Sequence, residues 1–251
     1  MTLHPNLHAA FDQKSALKII SGLVNFDANN VLAVAKAAQH GGATFVDIAA
    51  DADIVRLVRE HTELPICVSA IDPEAFREPL AAGAELIEIG NFDAFYSQGL
   101  TFTSSQVLDL TRRTRALFPH VALSATVPHV LSLAEQVQLA EQLVAAGADI
   151  IQTEGGTSTR PNHAGIVGLI EKATPTLAAA HAISRAVSVP VICASGLSDV
   201  TAPMAIAAGA SGVGIGSAVN KLNDELAMVA AVRSIRESLD KAASVTADQE
   251  A

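Results

Sequence analysis

The phrase AAGASGVGIGS (207–217) closes a series of four. HGGATFVDIAA (40–50), AAGAELIEIG (81–90) and AAGADIIQTEGG (145–156) precede it. In each, a glycine of the kind that ends a helix leads within a few residues into an apolar run suited to a buried strand. Three further runs, LPICVSA (64–70), PHVALSA (119–125) and VPVICAS (189–195), fall between them, and ALKIISG (16–22) precedes them all. Helical patterns fill the intervals, from VLAVAKAAQ near the start to VTAPMAIAA near the end. Strand and helix in alternation call for a parallel sheet. Eight such units in 251 residues predict an α/β fold, a single (β/α)8 TIM barrel over residues 1–242 with a disordered tail at 243–251. An open, doubly wound sheet is the other arrangement the pattern allows.

Composition bounds the function. Half of the chain is hydrophobic, 50%, with a mean hydropathy of +0.35, which suits one substantial core. No apolar run approaches the roughly 18 residues of a membrane span, and MTLHPNLHAAFDQK at the start lacks the basic and apolar regions of a secretory signal. The expected setting is the cytoplasm, or the plastid stroma if the chain is plastid-encoded. The net charge is −10, with 16 Lys and Arg, no Trp and one Tyr, and the cations are dispersed, so neither nucleic acid nor a membrane is an expected partner. A homo-oligomer is left open. Cys67 and Cys193 stand far apart in apolar runs, which suggests reduced thiols rather than a disulfide or a zinc site.

The four glycine phrases serve as a ruler. Aligned, they place Asp47, Glu88, Gln152 and Gly214 at one position of strands 2, 4, 6 and 8, with Glu154 and Gly216 two residues further on. Alternate strands of such a barrel supply common interior layers. Two carboxylates and an amide therefore share a layer, with Glu154 nearer the C-terminal mouth. The opposite facing would bury the carboxylates against the helices without partners, at high cost. Lys18, the one basic residue inside a strand pattern, neighbours strands 2 and 8 in a closed barrel. It either neutralises the acids or takes part in chemistry, as an imine-forming amine or a charge-stabilising group beside Asp47, Glu88 and Glu154.

The ends of strands 7 and 8 carry Ser195, Gly196, Gly216 and Ser217, and loops there commonly bind phosphate in (β/α)8 enzymes. Gly214 and Gly216 read as a gap in the acidic layers that leaves room for a ligand, unless these glycines serve only tight packing. After strand 6, GGTSTRPNHAGIVGLIEKATP reads as a lid with Arg160 and Lys172 as anion contacts, and Thr174 before Pro175 as a helix cap. Asn-Phe-Asp occurs at 25–27 and 91–93; Asp27 and Asp93 read as caps, Asn25 and Asn91 as ligand contacts or turn residues. His129 follows strand 5 and suits either acid–base work or a turn. No His and carboxylate spacing matches a compact metal motif, so a metal would have to be held by the separated Asp47, Glu88 and Glu154, and no metal ligand is assigned.

LKIISGLVNFD, FVDIAAD, LPICVSA, IEIGNFDAFY, QTEGGTS, IEKATPTLAAA and VICASGLSDVTAPMAIAAGASGVGIGSAVNKLN together resemble the family of cyanobacteria and plastids known as hypothetical chloroplast open reading frame 23, from about residue 10 to 235. The lid residues RPNHAG stand outside the match. The resemblance implies a (β/α)8-type fold in the cytosol or plastid stroma, and no particular reaction. From the residues, the expected function is an enzyme of lyase, isomerase or synthase type acting on a small phosphorylated metabolite. Flavin mononucleotide bound at the same loops, or a non-catalytic metabolite sensor or scaffold, are the alternatives.

Overall fold

The computed structural model of the protein describes residues 4–156 and 158–250, with side chains to Ala242. Eight parallel strands close in sequence order into a barrel: β1 (Ala16–Ile20), β2 (Phe45–Ala49), β3 (Ile66–Ala70), β4 (Leu86–Ile89), β5 (Ala122–Thr126), β6 (Ile150–Gln152), β7 (Val191–Ala194) and β8 (Gly212–Ile215). The pairing of β1 with β8, in which Lys18 lies opposite Gly214, makes the closure.

The helices follow the apolar patterns. Before β1 stands α1 (Pro5–Asp12), and α2 (Ala28–Gly41), α3 (Ala52–His61), α4 (Arg77–Ala81), the one-turn α5 (Asp93–Tyr96) and α6 (Ser104–Leu117) precede β5. The remainder are α7 (Leu133–Ala145), α8 (Gly165–Ile183), α9 (Ala202–Ala207), the one-turn α10 (Ser217–Asn220) and α11 (Glu225–Glu250). The last of these carries the backbone on through the segment expected as a tail. Local chemistry sets the boundaries. Asp27 caps α2 through the N–H groups of Asn29 and Asn30, while α6 and α7 open on full capping boxes, Thr103 with Gln106 and Ser132 with Glu135.

Strand alternation divides the core. Val46, Ile48, Ile87 and Ile89 face outward and pack under the helices, with Val55, Val58 and Leu139 among their neighbours. Facing inward, Ala16, Phe45, Cys67, Leu86, Ala122, Ile150 and Ile192 fill the N-terminal half of the barrel. Leu7 and Phe11 of α1 complete this cluster from below, Phe11 edge-on to Phe45 at 6.3 Å between ring centroids. The barrel is thus a packed core stoppered at its N-terminal end. None of the described helices is long and apolar enough to cross a membrane.

Three local readings are corrected. Thr174 is no cap, because α8 begins at Gly165 and carries Pro175 in its interior, and the Thr174 hydroxyl donates back to the Ile170 carbonyl. The connection after β6 is correspondingly shorter, and its backbone N–H groups at Asn162 and His163 are tied to Glu171 at 2.8 and 3.1 Å. Asp93 is no cap either: it lies inside α5, and its side chain accepts a hydrogen bond from Ser195 Oγ after β7.

The third correction concerns Gly214. A Cβ there would lie 2.8 Å from Ala194 Cβ and 3.1 Å from Ile20 Cδ1, so its bareness admits neighbouring side chains rather than a ligand. At Gly216 the nearest atoms stand 3.8 Å or more away, which is ordinary contact. We therefore expect Gly214→Ala to lower the free energy of unfolding by about 1–3 kcal/mol through overpacking. Gly216→Ala should remain within about 1 kcal/mol of the parent. Urea denaturation of the two variants checks the contrast.

Candidate active site

Above the apolar stopper lies a polar layer built from six strands. Lys18 reaches inward from β1, and its ammonium donates to Glu88 Oε2 at 2.8 Å and to Gln152 Oε1 at 2.9 Å, with Asp47 Oδ2 at 3.0 Å. All four side chains are sealed, with 1% exposure or less. The ruler's layer exists, and Lys18 stands at its centre.

The remaining valences of the acids are met by residues that the sequence reading passed over. Ser69 of β3 donates to Asp47 Oδ1 at 2.6 Å, and Ser124 of β5 donates to Glu88 Oε2 at 2.6 Å. Gln152 Nε2 donates to Glu88 Oε1 at 2.8 Å and to Thr126 Oγ1 at 3.2 Å. Their signal in the sequence was the inward hydroxyls of two otherwise apolar strands, Ser69 in ICVSA and Ser124 with Thr126 in ALSAT.

Electrostatics follow from this packing. Burial works against the Lys18 ammonium, but the facing Asp47 and Glu88 carboxylates outweigh it and hold its pKa well above the ordinary lysine range. Burial pushes the Glu88 carboxyl upward and Asp47 adds to that, against the pull of Lys18 and Ser124. The ammonium is the better-determined charge, since it donates to Glu88 and Gln152 and is ion-paired with Asp47.

Asn91 roofs the layer. Held in the left-handed region at φ 58° just after β4, it donates through Nδ2 to Glu88 Oε1 at 3.0 Å, Ser69 Oγ at 3.1 Å and Asp47 Oδ2 at 3.3 Å, and accepts from Gln152 at 3.2 Å. Its other side lines a cavity of about 350 Å³ at the C-terminal mouth. Asn25 is different: it bonds Ser21 and Asn30 within its own turn.

The cavity gathers part of the expected set. Ser195, Gly196, Gly216 and Ser217 line it, together with Glu154 and Lys172. Lys221, which the sequence reading did not single out, joins them just after α10. Lys18, Asp47, Glu88, Gln152 and Gly214 lie outside its lining, as does Arg160, which is exposed. Part of the glycine content is packing: a Cβ on Gly156 would lie 2.3 Å from the Ser195 carbonyl oxygen and 2.5 Å from Gly196 Cα, so the loops after β6 and β7 touch backbone to backbone.

A second polar cluster forms one wall. The Glu154 carboxylate is 3% exposed. Its Oε1 accepts from the Tyr96 hydroxyl, from the His129 backbone N–H at 3.0 Å and from His129 Nδ1 at 3.2 Å, while its Oε2 accepts from the Asp93 N–H at 3.3 Å. Asp93 Oδ2 accepts from Ser195 Oγ at 2.7 Å. Burial raises the Glu154 carboxyl above the usual range, and the charge of Asp93 adds to this against donation from His129 and Tyr96. Burial would lower His129, yet Glu154 and Asp93 carry it up; burial and Glu154 together raise the Tyr96 phenol.

The comparisons with known proteins agree with this architecture. A family model described as "Protein of unknown function (DUF561)" matches residues 3–245, and the chain belongs to that family. Relatives named uncharacterized protein ycf23 are 38% identical over 240 residues in Pyropia yezoensis, covering 96% of this chain and 88% of the relative, and 47% identical over 222 residues in Cyanophora paradoxa, covering 86% and 89%. Among solved structures, 3-hexulose-6-phosphate synthase superposes with a TM-score of 0.63 at 15% identity, over 89% of this chain and 99% of the other. The (S)-3-O-geranylgeranylglyceryl phosphate synthase of Thermoplasma acidophilum, in complex with sn-glycerol-1-phosphate, gives 0.61 at 14%, over 96% and 99%. At these identities the likeness is one of fold.

Removing one member of the sealed layer leaves buried charge without its partner. Lys18→Met is expected to cost about 3–5 kcal/mol of stability. In the double variant Lys18→Met/Glu88→Gln the loss should be smaller than the sum of the two single losses, because the residues share one network. Equilibrium unfolding of the three proteins measures this; additive losses would contradict the geometry.

Proposed function

We propose that this member of the DUF561 family is an enzyme acting on a small phosphorylated metabolite at the C-terminal mouth of its barrel, in a reaction of lyase, isomerase or synthase type. The observation that carries the reading is the mixed lining of the cavity. It brings Lys172, Lys221, Ser217 and the glycine-bearing ends of β7 and β8 together with Asp93 and the buried Glu154. Cations and bare backbone suit a phosphate. Acids in the same lining suit the reacting end of the same molecule, where charge develops and protons move.

Two supports come from outside the cavity. The fold is shared with enzymes whose names carry phosphorylated compounds, 3-hexulose-6-phosphate synthase and a synthase bound to sn-glycerol-1-phosphate. The cavity volume of about 350 Å³ falls at the lower end of the range usual for small-molecule sites, which favours a compact metabolite.

Lys18, Asp47 and Glu88 take an indirect part in this reading. A lysine whose ammonium donates to Glu88 and Gln152 and is ion-paired with Asp47 is a poor candidate for imine formation, which needs a free amine. Its role is to hold the two acids, and through them Asn91, in one arrangement. Asn91 is the positioning residue that passes the order of the layer to the cavity floor. Arg160 remains a candidate anion contact only in a rearranged loop after β6.

The test is ligand-dependent stabilisation. Phosphate monoesters of three- to six-carbon polyols and sugars, sn-glycerol-1-phosphate among them, are expected to raise the melting temperature of the protein, and their dephosphorylated counterparts are not. Lys172→Met should weaken this effect by about tenfold or more, the loss of one charge-assisted contact, with the ligand-free melting temperature unchanged. Equal responses to the phosphorylated and dephosphorylated compounds would overturn the reading.

A further inference from the structure

The loops after β4, β5 and β6, three consecutive strands of the barrel, bring together Asp93, His129 and Glu154. These residues are far apart in sequence and form no spacing motif. Their donor atoms nevertheless converge: one ligand atom from each lies within 4.8 Å of the others. His129 Nδ1 stands 3.2 Å from Glu154 Oε1 and 3.4 Å from Asp93 Oδ1. Donors bound to one first-row divalent ion at roughly 2.0–2.2 Å lie about 2.8–3.6 Å apart when they take neighbouring tetrahedral or octahedral positions.

A separate observation concerns Asp93. Its Oδ1 is fully buried and receives no hydrogen bond among the described residues, although Oδ2 of the same carboxylate is taken by Ser195. A buried carboxylate oxygen left without a donor is costly and needs a cause. It faces the imidazole nitrogen, and both Asp93 and Glu154 line the cavity. Supporting contacts hold the arrangement as partners of metal ligands do: Ser195 fixes Asp93, the Tyr96 hydroxyl fixes Glu154, and the Tyr96 ring stacks edge-on against His129 at 5.0 Å.

We propose that Asp93, His129 and Glu154 form a binding site for a first-row divalent cation such as Zn²⁺ or Mn²⁺, held through Asp93 Oδ1, His129 Nδ1 and the Glu154 carboxylate. The ion takes the place of the proton that Nδ1 otherwise gives to Glu154 Oε1. Three protein ligands leave coordination positions for a substrate oxygen, and these open towards the cavity that Asp93 and Glu154 line. The inference deepens the proposed function by naming what the acidic wall holds: a Lewis acid that polarises a carbonyl or hydroxyl oxygen of the bound metabolite. It rests on that reading only for the identity of the substrate.

The experiment measures the ion alone, without any metabolite. Full-length protein stripped with a chelator is titrated with Zn²⁺ and Mn²⁺ in competition with a chromophoric chelator, and with Co²⁺ to read visible absorption from a bound ion. Saturation at one ion per chain is expected. Asp93→Asn, which keeps the shape of the side chain and the contact with Ser195, and His129→Asn should each weaken binding by at least about tenfold. His163→Asn, a change to an exposed histidine paired with Glu171, should leave binding unchanged. Circular dichroism confirms that the variants fold. Absence of saturable uptake, or uptake that survives both Asp93→Asn and His129→Asn, overturns the metal site. Loss of phosphate-ester stabilisation as the sole failure overturns the proposed function and leaves the metal site standing.

Discussion

The structure turns on one ammonium. Lys18 projects into the middle of a closed barrel, where an unpaired charge would cost several kcal/mol even after local relaxation. It is tolerated because Asp47, Glu88 and Gln152 reach it from β2, β4 and β6 within 3.0 Å. Those acids need donors in turn, and Ser69 and Ser124 supply them from β3 and β5. The interaction therefore constrains five neighbouring strands besides its own. A one-residue slip in β2, β3, β4 or β5 would replace a hydrogen-bonding group by an aliphatic side chain, because side chains alternate across a strand.

The layer also fixes what can lie above and below it. Below, the barrel must exclude water, and α1 does so with Leu7 and Phe11. Above, the groups that remain must join the sealed layer to the wet mouth. Asn91 makes that junction, with one face on the acids and the other on the cavity. Its left-handed backbone is tolerated more readily by asparagine than by most residues, which explains why the turn after β4 can place an amide there. The cavity is thus floored by a rigid network while its walls come from loops, the usual division between scaffold and site in this fold.

The readings that failed share a cause. Asp93 and Thr174 were assigned from the residues next to them, as caps, and both were claimed by partners distant in the chain or by a helix that began earlier than its composition suggested. Pro175 marks the limit of local reasoning, since a proline inside α8 is compatible with a helix when packing supplies what its missing N–H does not. Gly214 was taken for an opening because its sister strands carry large polar groups there. In three dimensions one of those groups, Gln152, with Ala194 and Ile20, occupies the space the glycine leaves.

The sequence by itself determined the barrel, its eight strands and the facing of each, because a repeated helix-ending glycine followed by a buried run is a local signal and strand alternation extends it by two-residue steps. It also determined that Lys18, Asp47, Glu88 and Gln152 share a layer, since that placement needs only register. What register cannot specify is depth and company. Tertiary structure decided that this layer is sealed, that the cavity belongs instead to Lys172, Lys221, Asn91 and Glu154, and that Asp93, His129 and Glu154 converge. Loop ends are positioned by long-range packing and by hydrogen bonds spanning a hundred residues or more, as between Ser195 and Asp93, and such distances leave no periodicity in the chain to read.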